Sequence, residues 1–215
     1  MTQTMQRSST IMFRRLTYCA AGAALLVAGL AACSNDDNSD ADADVTSDTS
    51  HNDADVAFAQ EMIPHHAQAI EMSELVPDRA ESPEVQALAE DIEAAQQPEI
   101  DLMSDMLVGW DEDVPDIEGS DGEGSDGGHE GHGADDMPGM MSHDEMAELD
   151  AATGADFDRM WLTMMIEHHE GAITMSEDVL ADGTDTDVGH LAEEIIDVQQ
   201  AEIDQMQGLL EGLPS

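Results

Sequence analysis

One phrase occurs twice in this chain. "MIPHHAQAIEMSE" runs from Met62 to Glu74, and "MIEHHEGAITMSE" runs from Met165 to Glu177, 103 positions later. Nine of the thirteen positions are identical. At the same offset, and without a gap, Phe58 aligns with Trp161, Val85 with Val188, Leu88-Ala89-Glu90 with Leu191-Ala192-Glu193 and Ile92 with Ile195. Further on, Gln96-Gln97 aligns with Gln199-Gln200, Glu99-Ile100-Asp101 with Glu202-Ile203-Asp204, and Met103 with Met206. A correspondence of this length is one supersecondary unit written twice.

Each copy reads as a helical hairpin. The apolar spacing predicts helices over about Asp55–Val76, Ser82–Val108, Ala155–Leu180 and Asp185–Leu210, with a short helix around Asp144–Ala151 ahead of the third. Ser82-Pro83-Glu84 supplies an N-cap, a first-turn proline and a first-turn acid, and Asp182-Gly183 supplies a stop. Pro64 and Pro98 each delete a helical hydrogen bond in the first copy only, which predicts kinks there. The expected fold is all-α: a ferritin-like four-helix bundle built from two repeated hairpins joined by a long acidic loop. Its domain spans 55–211, divided into a hairpin 55–108, a Gly/Asp/His/Met-rich loop 109–143 and a second hairpin 144–211.

The segments outside that domain read differently. Residues 1–33 carry Arg7, Arg14 and Arg15, then an apolar stretch ending in Leu30-Ala31-Ala32-Cys33. That is a secretory signal, and its end resembles the bacterial lipobox, which implies cleavage before Cys33 and lipidation of its thiol. Residues 34–54 are acidic and poor in large apolar side chains, as expected of a disordered tether. The other cysteine, Cys19, lies inside the leader, so no intramolecular disulfide and no thiolate site remain. Beyond the leader only Arg79 and Arg159 oppose 50 acidic residues, and the formal net charge of the whole chain is −45. That charge excludes nucleic acid as a partner, because phosphate binding needs clustered cations. It leaves the lipid anchor as the expected contact with membrane.

The repeated phrase has a face. At about 100° per residue, Phe58, Met62, His65, His66, Ala69, Ile70 and Met72 share one broad arc of the first helix. Trp161, Met165, His168, His169, Ala172, Ile173 and Met175 repeat it in the third. A single histidine on an apolar face is ordinarily a satisfied core residue, and methionine at helical spacing is ordinarily packing. Two adjacent histidine pairs on two helices require partners, since each buried unsatisfied group costs about 1–3 kcal/mol. The candidates are carboxylates such as Glu99 and Glu202, water, or a metal. The motif reads Met-x-x-His where di-iron bundles carry Glu-x-x-His, and that exchange of carboxylate for thioether favours Cu(I) over iron or manganese. Met103 and Met206 recur at equivalent places and can add thioethers. Zinc would tolerate the histidines and gain little from methionine. In the loop, His129, His132, Met137, Met140, Met141 and His143 form a second candidate set, in an acid-rich segment expected to be flexible.

"FAQEMIPHHAQAIEMSE", "MPGMMSHDEMAELDAATGADFDRMWLTMMIEHHEGAITMSE" and "LAEEIIDVQQAEIDQMQGLL" together resemble a bacterial envelope family of ferritin-like proteins known only as a domain of unknown function. It includes the CopM-type copper-binding proteins. The resemblance covers about Asp55 to Glu211 and implies an exported four-helix bundle that binds copper. It carries the family's positions onto Met62, His65, His66, Met72, Met165, His168, His169 and Met175, and its "MPGMM" connector onto Met137 to Met141. The chain departs from it in extreme acidity, a long Gly-Asp loop and Pro98. The leading expectation is a metal binder that sequesters copper or passes it on, with a copper-transfer partner or a homo-oligomer as its possible associations. One alternative is a redox enzyme holding iron or manganese through Glu61, Glu99, Glu167 and Glu202 alongside the histidines. The other is a metal-free interaction module. No nucleophile–base pair and no cofactor motif favours an enzyme.

Overall fold

Helix ends in this protein are set by a few side chains. In the computed structural model, which describes residues 51–117 and 137–213, six helices follow one another. They are α1 (Asp53–Glu74), α2 (Val76–Arg79), α3 (Pro83–Trp110), α4 (His143–Ala151), α5 (Gly154–Asp182) and α6 (Thr186–Gly212). Cys33, His129 and His132 lie outside the described residues.

Asn52 caps α1, accepting from the Ala54 and Asp55 amides, while the Asp55 carboxylate reaches back to the Asn52 amide. The helix therefore starts two residues before its expected first residue. Ser82 caps α3 and Asp185 caps α6, each accepting first-turn amides as their residue types dictate. Ser142 and Glu145 form a reciprocal box at the start of α4. Pro64 and Pro98 fall within α1 and α3, and neither ends its helix.

One difference between the two copies changes the course of a helix. Leu180, in the middle of the last turns of α5, is replaced by Pro77 in the first copy. Proline disfavours helical backbone in the residue before it and removes an amide donor. Accordingly α1 stops at Glu74 and the chain restarts as the four-residue α2, whereas α5 runs on to Asp182. This extra turn is absent from the sequence expectation, which drew one helix to Val76.

The chain is all-helical among its described residues, and none of these helices is long and apolar enough to cross a membrane. The extensive contacts are α1 with α3, α5 with α6, and α1 with α5, while α3 and α6 meet only briefly. Trp161 Nε1 donates to the Met72 carbonyl at 3.1 Å, locking α5 to α1. Two apolar clusters result. The first gathers Met72, Val76, Leu88, Ile92, Phe157, Trp161, Met165, Ile203 and Met206, with Leu149 of α4 fully buried against it. The second gathers Phe58, Met62, Ile63, Ile100, Met103, Leu107, Met175, Val179, Leu191 and Ile195. Along both α1 and α5 the histidine pair falls between residues of one cluster and residues of the other.

Two buried aspartates tie the halves together. Asp55 and Asp158, 103 residues apart, are 0 % and 1 % exposed. Asp158 accepts the amides of Glu81 and Ser82 at 3.1 and 2.9 Å. Asp55 accepts those of Thr184 and Asp185 at 3.0 and 3.1 Å. Each carboxylate thus holds the turn that belongs to the other copy.

Candidate metal centre

All four histidines of the repeated phrase are fully buried. His66 Nε2 donates to the Glu99 carboxylate at 2.7 Å, and His169 Nε2 donates to Glu202 at 2.8 Å. The two carboxylates singled out in the sequence are therefore the partners of one histidine in each pair. At the centre, His65 and His168, again 103 residues apart, stack with ring centroids at 3.8 Å. Their neighbours His66 and His169 stand 6.5 and 6.4 Å away, centroid to centroid. His65 Nε2 donates to the Pro138 carbonyl at 3.0 Å. Neither ring nitrogen of His168 has a hydrogen-bond partner.

These contacts decide which nitrogen carries the proton in a neutral ring. A ring that donates from Nε2 in its neutral form has a bare lone pair on Nδ1. The Nδ1 atoms of His65, His66 and His169 are all buried without a partner. Burial first, and then the neighbouring His66, push the His65 pKa down to about 3. Burial and the surrounding imidazoles likewise hold His168 well below the ordinary histidine value, against a smaller opposing pull from the His65 backbone. The central pair is neutral at physiological pH and available to a Lewis acid.

The methionines divide evenly around this layer. Met62, Met103 and Met175 belong to one apolar cluster, and Met72, Met165 and Met206 to the other. Each member of the second set is the repeat equivalent of one in the first. Five are fully buried and Met175 is 7 % exposed. Imidazole and thioether are donor types that suit Cu(I) or Ag(I).

Of the loop candidates within the described residues, Met141 is buried in the first apolar cluster, Met137 and Met140 are half-buried, and His143 is exposed as the first residue of α4. Of the four carboxylates in the iron or manganese alternative, Glu99 and Glu202 meet histidines, whereas Glu61 and Glu167 are exposed. Among the described residues no group of three or more His, Cys, Asp or Glu side chains is arranged to hold a metal.

Several buried polar residues were not singled out in the sequence. Gln96 and Gln199 are buried, and both amide atoms of Gln96 and the carbonyl of Gln199 have no partner. Ser73 and Ser176 are buried with unpartnered hydroxyls. Both pairs are identical at the 103-residue offset, and that identity of polar residues was the available signal.

The family described as Domain of unknown function (DUF305) matches residues 55–210. The chain belongs to the DUF305 family. A DUF305 protein from Streptomyces coelicolor, described as secreted, is 32 % identical with a TM-score of 0.62, covering 74 % of this chain and 93 % of its own. A DUF305 fragment from Deinococcus radiodurans is 30 % identical with a TM-score of 0.64, covering 75 % and 98 %. CopM in its Cu(II)-bound form is 31 % identical with a TM-score of 0.59, covering 74 % and 96 %. CopM has also been seen with Cu(I) and with Ag. No protein of curated function matches the chain. This DUF305 chain therefore shares its fold with CopM, whose structures include Cu(II)-, Cu(I)- and Ag-bound forms.

Proposed function

We propose that the chain is a lipid-anchored, extracytoplasmic copper-binding protein, held to the membrane through Cys33 and serving sequestration or transfer of copper. In this reading residues 55–211 form a ferritin-like four-helix bundle of two repeated hairpins, with an approximate two-fold axis between His65 and His168. The observation that carries it is that pair: two neutral, buried imidazoles in contact, one without any hydrogen-bond partner, with three methionines in the cluster on either side. A core built only for packing would not retain such groups, since each unpartnered buried nitrogen costs about 1–3 kcal/mol. The Cu(I)-, Cu(II)- and Ag-bound forms of CopM support copper over zinc or iron. The candidate ligands are the imidazoles of His65, His66, His168 and His169 and the thioethers of Met62, Met72, Met103, Met165, Met175 and Met206.

The test is anaerobic loading with Cu(I), Zn(II) or Fe(II), followed by desalting, metal analysis and thermal melting. A variant with Met62, Met103, Met165 and Met206 changed to leucine keeps core volume nearly constant. The parent retains Cu(I) and gains about 2.7 kcal/mol of stability at a hundredfold excess over Kd. The leucine variant stays folded and loses most of both. Equal copper in the two proteins would place the metal elsewhere, with His129 and His132 the first residues to change.

A further inference from the structure

Met137–Ser142 crosses directly over the histidine layer. Pro138 is exposed, yet its carbonyl accepts from buried His65, so that histidine lies one residue beneath the surface. The crossing is seated at two positions that are repeat equivalents of each other, Gln68 on α1 and Gly171 on α5. Gln68 grips the backbone of Met141 from both sides: its Nε2 donates to the Met141 carbonyl at 2.8 Å, and its Oε1 accepts the Met141 amide at 2.7 Å. Gly171 does the opposite by having no side chain. A Cβ there would overlap the carbonyl of Pro138 and crowd Gly139. Gly139 itself has φ +74°, in the left-handed region, and a Cβ on it would run into the backbone of Glu167 and His168. Pro138 and Gly139 therefore lie backbone to backbone on α5.

We infer that this crossing segment sets the tautomer of His65, holding its proton on Nε2 through the Pro138 carbonyl and leaving Nδ1 free as a ligand, so that Gln68 and Gly171 are positioning residues of the metal centre. The inference rests on the copper-binding reading and adds residues that touch no metal. Glu99 and Glu202 do for His66 and His169 what Pro138 does for His65. A partner on the far nitrogen orients a ligand imidazole, and its loss typically weakens metal binding 10–100-fold. His65 differs from the other two because its partner is a backbone atom, and a backbone atom can be held only by what seats the segment. The two copies of the repeat are thereby made unequal: one central imidazole is anchored and the other, His168, is not.

The experiment compares the parent with Gly171→Ala, Gln68→Ala and Gln68→Glu, and with Gly189→Ala as the control. A Cβ at Gly189 meets nothing within 4 Å, so that change reports only the helical effect of alanine for glycine. Two readouts are taken: histidine tautomers of the metal-free protein by long-range nitrogen–proton NMR, and Ag(I) affinity by competition. The parent and Gly189→Ala show His65 protonated at Nε2. Gly171→Ala and Gln68→Ala show mixed tautomers at His65, unchanged His66 and His169, and Ag(I) binding weakened at least tenfold. Gln68→Glu, which keeps the acceptor for the Met141 amide, recovers part of the affinity. Unchanged tautomers in Gly171→Ala, or altered tautomers with parental affinity, overturn the positioning role while leaving the copper reading intact. Failure of the parent to bind Ag(I) overturns both.

Discussion

With His65 and His168 both changed to phenylalanine, the metal-free protein melts at a higher temperature than the parent and no longer responds to Cu(I). Phenylalanine keeps a flat ring in each place and removes nitrogens that have no partner or only one. The gain at neutral pH is about 1–3 kcal/mol, the cost of a buried polar group left unpaired. The gain widens in acid. His65 titrates near pH 3 in the folded protein and His168 well below its ordinary value, whereas both take up protons near pH 6.5 once unfolded. The unfolded chain therefore binds more protons as pH falls below about 6.5, and parental stability is lost from there toward pH 3. Each histidine contributes up to about 1.4 kcal/mol per pH unit in that range. Urea unfolding at pH 7.5 and pH 5 measures it: the difference between variant and parent is larger at pH 5. A variant less stable than the parent at both values would mean that the two imidazoles are satisfied core residues. Stability given up at a functional site is a common trade.

Changing Asp158 to alanine destabilises the protein by about 2–5 kcal/mol. Two amides, those of Glu81 and Ser82, lose their acceptor, and a buried cavity opens where the carboxylate was. Asp55→Ala acts at least as strongly, because the amides of Asn52, Thr184 and Asp185 all depend on that carboxylate. The asparagine versions also lose stability, since an amide turns a donor toward donors. The two aspartates hold different turns and share no partner, so their losses add within about 0.5 kcal/mol. Denaturant midpoints of the two single variants and the double variant check this. A change below about 0.5 kcal/mol in either single variant, the range of an ordinary surface substitution, would remove the aspartates as ties between the copies.

How much of this was legible depends on whether the information is local. Helix positions were, because Ser82-Pro83 and Asp185 announce their own caps and the apolar spacing carries the rest. The break between α1 and α2 was written in Pro77, and comparison with Leu180 at the same place in the second copy would have exposed it. The pairing of His66 with Glu99 and of His169 with Glu202 could be anticipated from one helical face meeting another. The seat of Pro138 on Gly171 could not. It depends on two backbones meeting 33 residues apart in sequence, and the glycine looks like a simple departure from Gln68. The same holds for Met141, which composition assigns to a polar loop and packing assigns to the core.

The measurement closest to the central claim is X-ray absorption at the copper edge of the Cu(I)-loaded protein. The account predicts sulfur scatterers from methionine together with imidazole nitrogen, and loss of the sulfur contribution when Met62, Met103, Met165 and Met206 are leucine. A first shell of nitrogen and oxygen alone, identical in the parent and that variant, would contradict it and leave the paired phrases as packing.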